Sequence, residues 1–320
     1  MHEKNQTWVS EIVLLGFQNL HNFKVPLFSL FLLIYILTVW ENVLIIVLVA
    51  SSRSLHSPMY FFLWQLALTD LLGSSAVAPT LLLTVIHDGA TMSLPNCIIQ
   101  LYFFAVSEQS MQCFLLAVMA YDRYVAICNP LRYTSIMNHR VCVRLILMSW
   151  ALSIVITINT WSMIQTLRFC NETTIDHFFC DLTPLLELSC SNTFFVKLEI
   201  TLQSVVSLFP PLTLIIGSYI CIAREILKIV SNTGRQKAFS TCSSHLAVVS
   251  IFYGTLIGVY VVPPIKQSLT TSKVLSLLYT VVIPLVNPII YSLRNKDMKD
   301  ALKNELVNGV RTQCRNLLHL

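Results

Sequence analysis

Charge is what this chain has least of. Asp, Glu, Lys and Arg together supply 12% of its 320 residues, against 55% hydrophobic residues and a mean hydropathy of +0.69. A soluble domain carries charge on about a quarter of its residues. That shortage excludes an ordinary soluble fold and leaves the apolar residues to face lipid. A CxxC pair is also missing, so the ten cysteines suggest neither a zinc ribbon nor a redox motif. They are too few, in a chain this long, for a disulfide scaffold. No internal repeat recurs, which disfavours an inverted-repeat transporter. No polar or charged ring repeats as a channel pore would require. No nucleophile–base pairing or metal motif stands out, so neither catalysis, a cofactor nor a metal is expected, and nucleic acid is not an expected partner. A basic amino-terminal region is absent too: the short apolar cluster Ile12 to Phe17 follows Glu3 and Glu11. No cleavable signal peptide is expected, and the first membrane helix would be its own insertion signal.

What is present is a set of seven apolar runs, at about 26–50, 58–82, 98–122, 141–161, 198–222, 238–262 and 271–292. Each is long enough to span a bilayer, which takes about 20 residues. Backbone groups in lipid must be satisfied internally, so the runs are expected to be helices. The expected fold is therefore an all-α membrane protein, a seven-helix bundle over 26–292. It is flanked by a segment at 1–25, a long loop at 162–197, and a tail at 293–320 opening with a short amphipathic helix. Lys and Arg are unevenly shared among the connections: fifteen of the 21 fall on one side. The positive-inside rule then predicts the amino terminus outside and the carboxyl terminus inside. Two sequons, at Asn5 and Asn171, lie on the outer side and are candidate glycosylation sites. Cys97, Cys170, Cys180 and Cys190 fall outside the expected spans, and four cysteines allow three pairings. A metal reading of Cys180 with His177 is the weaker one, because extracellular cysteines oxidise readily.

The triplet Asp122-Arg123-Tyr124 stands at the rim of the third run. Ionisable groups at a bilayer boundary persist when they pair or serve a function. Arg123 alone could simply snorkel and anchor the helix end. The alternative is a switch in which Asp122 holds Arg123 until a partner receives it. The longer string Met119-Ala120-Tyr121-Asp122-Arg123-Tyr124-Val125-Ala126-Ile127-Cys128-Asn129-Pro130-Leu131-Arg132-Tyr133 closely resembles the signature of vertebrate odorant receptors, within the rhodopsin-like G-protein-coupled receptors. Further strings fit the same pattern in order: Leu55 to Leu63, Leu66 to Asp70, Ser218-Tyr219, Lys237 to Leu246, Phe252-Tyr253-Gly254-Thr255, and Pro284 to Asn295. The Phe-Tyr-Gly-Thr string resembles the tetrapod-type class.

The resemblance carries expectations. It implies a rhodopsin-like bundle in the plasma membrane, with a ciliary location in olfactory neurons. A small hydrophobic odorant would bind outside, and a stimulatory, olfactory-type heterotrimeric G protein would be activated inside, raising cAMP. It implies a Cys97–Cys180 bridge, leaving Cys170 and Cys190 as a second pair. It makes Asp122, Arg123 and Tyr124 a switch, with Tyr219, His245 and Tyr291 as neighbours from three other helices. Asn287-Pro288 would be a hinge, since proline removes one backbone bond and kinks the helix. In related receptors Asp70 belongs to a polar, often sodium-binding, cluster with Asn42, a third-helix group and Asn287. This chain departs from the pattern twice. Glu41 stands before Asn42 where glycine is usual, and Gln112 stands where the third helix commonly has Glu. An acid therefore reads as lost from one helix and gained on another: sodium binding at Asp70 is weakened or Glu41 partly replaces the acid, and the competing reading has Glu41 facing a neighbouring helix as a neutral acid.

The ligand pocket is expected in the outer half of the bundle. Gln109 lies roughly 21 Å from Arg123 along the third helix, at ~1.5 Å per residue. Ala105, Val106, Gln109 and Ser110 share its face by spacing. The fifth helix offers Gln203, Ser204 and Ser207. The sixth offers Tyr253, Leu256, Ile257 and Tyr260, and the seventh offers Leu277 and Thr280. No unpaired Asp, Lys or Arg is among them, so the expected ligand is small, neutral and mostly apolar. An amine-binding pocket would want an acid at Ala105, and none is there.

Overall fold

The computed structural model describes residues 10–18, 21–170, 173–229, 231–258, 269–294 and 297–305. The expected Tyr260, Asn5 and Asn171 lie outside them. Seven long helices form the bundle: α1 (Lys24–Ser51), α2 (Pro58–His87), α3 (Leu94–Cys128), α4 (His139–Ile164), α5 (Phe194–Lys228), α6 (Asn232–Leu256), and α7, built from Leu269–Leu277, Leu278–Val282 and Ile283–Arg294. An eighth helix, α8, covers 297–305. Six of these helices are long and apolar enough to cross a membrane, and α6 contributes the shorter apolar stretch His245–Leu256 within the described residues.

Burial ranks the helices. The apolar span of α3 is 78% buried, against 28% for α1 and for α4. The third helix is thus the axis of the bundle, touching α2, α4, α5 and α6. On α1 the inner stripe is Phe31, Thr38, Asn42 and Ile45, at helical spacing, while Leu30, Leu33, Leu37 and Trp40 stay exposed. Those exposed residues make sense only against lipid.

Sparse polar bonds fix how the helices sit. Pro288 has no N–H to offer the carbonyl of Pro284, four residues back. Asn42 Nδ2 supplies the missing donor at 3.2 Å, tying α1 to the bend of α7. Trp150 Nε1 donates to Gln65 Oε1 at 3.1 Å and ties α4 to α2. Tyr60 donates to Asp297 at 2.9 Å and ties α2 to α8.

The Cys97 end of the bundle carries a small sheet that hydropathy does not announce. Strand β1 (Glu11–Leu14) lies between β2 (Ala90–Ser93), which it pairs antiparallel, and β3 (Thr174–Ile175), which it pairs parallel. The short cluster at Ile12 is therefore structural, with Ile12 and Leu14 fully buried. Disulfides join Cys97 to Cys180 and Cys170 to Cys190. Cys97 sits within α3, which begins at Leu94, four residues before the expected span at 98–122. Behind β3, Phe178 and Phe179 turn inward and are fully buried. Phe178 stacks on Phe17, with centroids 5.6 Å apart, and Phe179 meets Phe104 of α3 at 5.4 Å. The long loop thus lies across that end as a plug of aromatic rings.

Candidate functional site

Three groups of side chains lie along α3. In the middle is the polar cluster. Asp70 of α2 is fully buried and accepts from Gln112 Nε2 at 2.5 Å and from Asn287 Nδ2 at 3.1 Å. The second acid bonded into the Asp70 cluster is not Glu41, whose Oε2 is buried with no hydrogen-bond partner among the described residues. It is Glu108, on α3 itself, where Gln112 Nε2 also donates to Glu108 Oε2 at 3.1 Å. This acid stands one turn from Gln112 on the same helix, and the Gln112 amide bridges both carboxyls. Two local features make this possible. Residues Ala105–Met111 form a wide π turn, which swings Glu108 toward α2. Opposite it stands Gly73, where even a Cβ would lie 2.0 Å from Glu108 Cγ. An ionisable residue inside an apolar run was the sequence signal for Glu108.

At one end of α3, Asp122 is buried and holds Arg123. Arg123 Nε donates to Asp122 Oδ2 at 3.0 Å, and Nη2 reaches the same oxygen. The sequence reading missed Tyr133, which donates to the other carboxyl oxygen at 2.8 Å. Burial and then the Asp122 charge raise the Tyr133 phenol, keeping it a donor. Tyr219 does not hydrogen-bond Arg123; its hydroxyl meets His245 Nδ1 at 2.7 Å, joining α5 to α6. Tyr124 and Tyr219 pack on Ile222, Ile226 and Cys242 and close this end. Tyr291, beyond Pro288, has its hydroxyl buried with no partner among the described residues.

Toward the Cys97 end lies a cavity between α3, α4, α5 and the long loop. Its water-accessible space is about 30 Å³. Of the expected pocket residues, Ala105, Gln109 and Gln203 line it. Val106, Ser110, Tyr253, Leu256 and Thr280 are buried elsewhere in the bundle, and Ser204, Ser207, Ile257 and Leu277 are half-buried. Tyr253 donates to the Cys113 carbonyl at 3.2 Å. The wall includes residues that sequence reasoning missed: Thr157, Thr160 and Trp161 of α4, and Asp181 of the loop. Asp181 corrects the expectation of a wall without an acid. Burial pushes its carboxyl up to about 6, while the Leu182 N–H that it accepts at 2.7 Å opposes the shift. Thr160 also donates to Gln203 Oε1. In the long loop, against Phe178 and Phe179, His177 is buried with neither ring nitrogen partnered among the described residues. Burial, and next the Lys273 cation, hold its imidazole down at about 3.

Comparison with known proteins agrees with this arrangement. The family model described as olfactory receptor matches residues 31–309. The chain is 46% identical to human olfactory receptor 11L1 over 303 residues, covering 95% of this chain and 94% of the relative. It is 44% identical to mouse olfactory receptor 5G29, covering 96% and 97%. It is 43% identical to rat olfactory receptor 1468, covering 98% and 100%. With the bundle, the Asp122–Arg123 pair and this match spanning nearly its whole length, the chain belongs to the olfactory receptor family, multi-pass G-protein-coupled receptors for odorants rather than enzymes.

Proposed function

We propose that this receptor binds a small, largely apolar odorant between α3, α4 and α5 and answers by releasing Arg123 to a stimulatory, olfactory-type G protein, raising cAMP. In this reading the Cys97 end faces outside, the Arg123 end and the carboxyl terminus face the cytoplasm, and the receptor works in the ciliary membrane. The observation that carries the proposal is α3. One buried helix bears Gln109 in the cavity wall and, roughly 21 Å away, the Asp122–Arg123 pair. Gln112 lies between them and is bonded to Glu108, the residue next to Gln109.

Burial supplies most of the ligand's affinity, at about 25 cal/mol per Å² of apolar surface. Gln109, Gln203, Thr160 and Asp181 supply direction. The Asp181 carboxyl favours an odorant carrying one hydrogen-bond donor, such as a hydroxyl. A cavity this small must widen to admit it, and a ligand that binds the wider state better shifts the population toward that state. Tyr253, Leu256, Ser207 and Thr280 are the proposed far side of the widened pocket.

The test is a cAMP assay of transfected cells against a panel of aliphatic alcohols and ketones. Gln109→Ala and Gln203→Ala should each lower potency about tenfold or more with surface expression intact, the effect of losing about 1.4 kcal/mol. Arg123→Ala should abolish the response at any concentration. Unchanged responses in both cavity variants would refute the pocket.

A further inference from the structure

The cavity has a neighbour. A cleft of about 560 Å³ opens between the Cys97-side ends of α3 and α4, lined by Leu94, Ile98, Ile99, Gln165, Leu167 and Phe169. Its walls are mostly apolar. It opens on the outer surface of two helices long and apolar enough to span a bilayer, and Ile99 on its rim is 49% exposed. The cleft and the inner cavity share two residues, Trp161 and Ile164. Those two side chains of α4 face both spaces.

Two further observations bear on traffic through that wall. The long loop lies over the Cys97 end of α3 as a packed aromatic plug, with Phe178 and Phe179 at 0% exposure and Cys180 tied to Cys97. Cys180 N–H also donates to Gln100 Oε1 at 3.0 Å, pinning the plug to α3. Trp161 is held differently. Its indole leans on Tyr102 at 5.8 Å, while its Nε1–H is buried with no hydrogen-bond partner among the described residues. A buried N–H without a partner costs about 1–3 kcal/mol. The closed position of this ring is therefore weakly secured, and the ring lines both the space of about 30 Å³ and the one of about 560 Å³.

We propose that the α3–α4 cleft is a lateral entrance: small apolar molecules dissolved in the adjoining lipid leaflet pass through it into the cavity, with Trp161 as the gate. The occupant is fixed by the lining. Aliphatic and aromatic walls suit a medium-chain hydrocarbon body, and Gln165 at the rim can meet one carbonyl or hydroxyl. Such molecules concentrate in the bilayer before they meet the protein. The proposal rests on the reading of the inner cavity as the ligand site, and the two can fail separately.

The experiment uses the full chain in nanodiscs of palmitoyl-oleoyl phosphatidylcholine, with an aliphatic ketone carrying a diazirine as the photoreactive probe. Peptide mapping after brief illumination reports label in the cleft, at Ile98 and Gln165, and in the cavity, at Ala105 and Gln109. Ile99→Trp and Gln165→Trp each narrow the cleft from opposite walls, at exposed positions where a larger side chain meets lipid rather than core. Both should slow cavity labelling about tenfold, and Trp161→Ala should speed it, while label elsewhere on the lipid-facing surface stays constant. Cavity labelling at the wild-type rate in both narrowed variants would overturn the entrance and leave the ligand site standing. Label confined to the cleft in every variant, with none in the cavity, would overturn both.

Discussion

A missing methyl group shapes the polar cluster. Glu108 is 3% exposed and bonded to Gln112, so its side chain has nowhere to swing if Gly73 gains a Cβ 2.0 Å from its Cγ. Gly73→Ala should cost about 1–3 kcal/mol, the usual penalty for overpacking, read as a lower unfolding temperature of the purified receptor. Combining it with Glu108→Ala should relieve most of that cost; fully additive losses would show that the clash is not the cause. His177 makes a second prediction at this scale. Its folded-state value of about 3 lies below the ordinary 6.5. The unfolded chain therefore takes up the proton first, and stability is lost as pH falls below 6.5. Relative to His177→Phe, the wild type should lose about 1.4 kcal/mol for each pH unit between 6.5 and 3. Asp181 has the opposite sign, since its value is raised from 3.8 to about 6 and stability falls as pH rises through that window. The comparison must therefore be made between variants at each pH. Parallel stability–pH curves for wild type and His177→Phe would remove His177 from the account.

Among the elements, α7 shows a broken backbone bond made good by a neighbour. Pro288 leaves the Pro284 carbonyl without its helical donor, and Asn42 provides one from α1. Asn42→Leu should destabilise by about 1–3 kcal/mol, because a buried acceptor loses its partner. In a Pro288→Ala background the restored N–H can serve that carbonyl, so the same substitution should cost less. An equal cost in both backgrounds would mean that Asn42 acts through its Thr38 contact alone. The elements also differ in how far the sequence discloses them. Lipid demands about 20 apolar residues per crossing, so six of the seven runs stand out from hydropathy, while the described part of α6 carries only the shorter apolar stretch His245–Leu256. The strand Glu11–Leu14 does not, because four residues are too few to show a period and its partners at Ala90 and Thr174 are remote in the chain. Nor does the π turn at Ala105–Met111 show itself, having no residue signature of its own. Missing it is why Glu108 went unread: on a regular helix the group facing Asp70 is read at Gln112 alone, whereas the wide turn brings Glu108 alongside.

On the scale of the whole molecule, the structure closes both ends of α3 at once. Phe178 and Phe179 cover one end, while Tyr124, Tyr219, Ile226 and Cys242 seal the other around the Asp122–Arg123 pair. A receptor at rest needs the second closure to be just strong enough. Asp122 keeps Arg123 with one carboxyl oxygen and takes a phenol from Tyr133 on the other. Tyr133→Phe removes a hydrogen bond to a charged group, worth about 1.5–3 kcal/mol in the state that has it. If the bond is made only at rest, the unliganded active population should rise about tenfold or more, one factor of ten for each 1.4 kcal/mol. The measurement is basal cAMP at matched surface expression, which should climb in Tyr133→Phe and fall back in Tyr133→Phe with Arg123→Ala. Gln109→Ala, at the far end, should leave basal cAMP alone while lowering the response to odorant. Basal signalling that ignores Tyr133→Phe would show that the phenol does not restrain Arg123, and would shift the resting constraint to the Tyr219–His245 bond between α5 and α6.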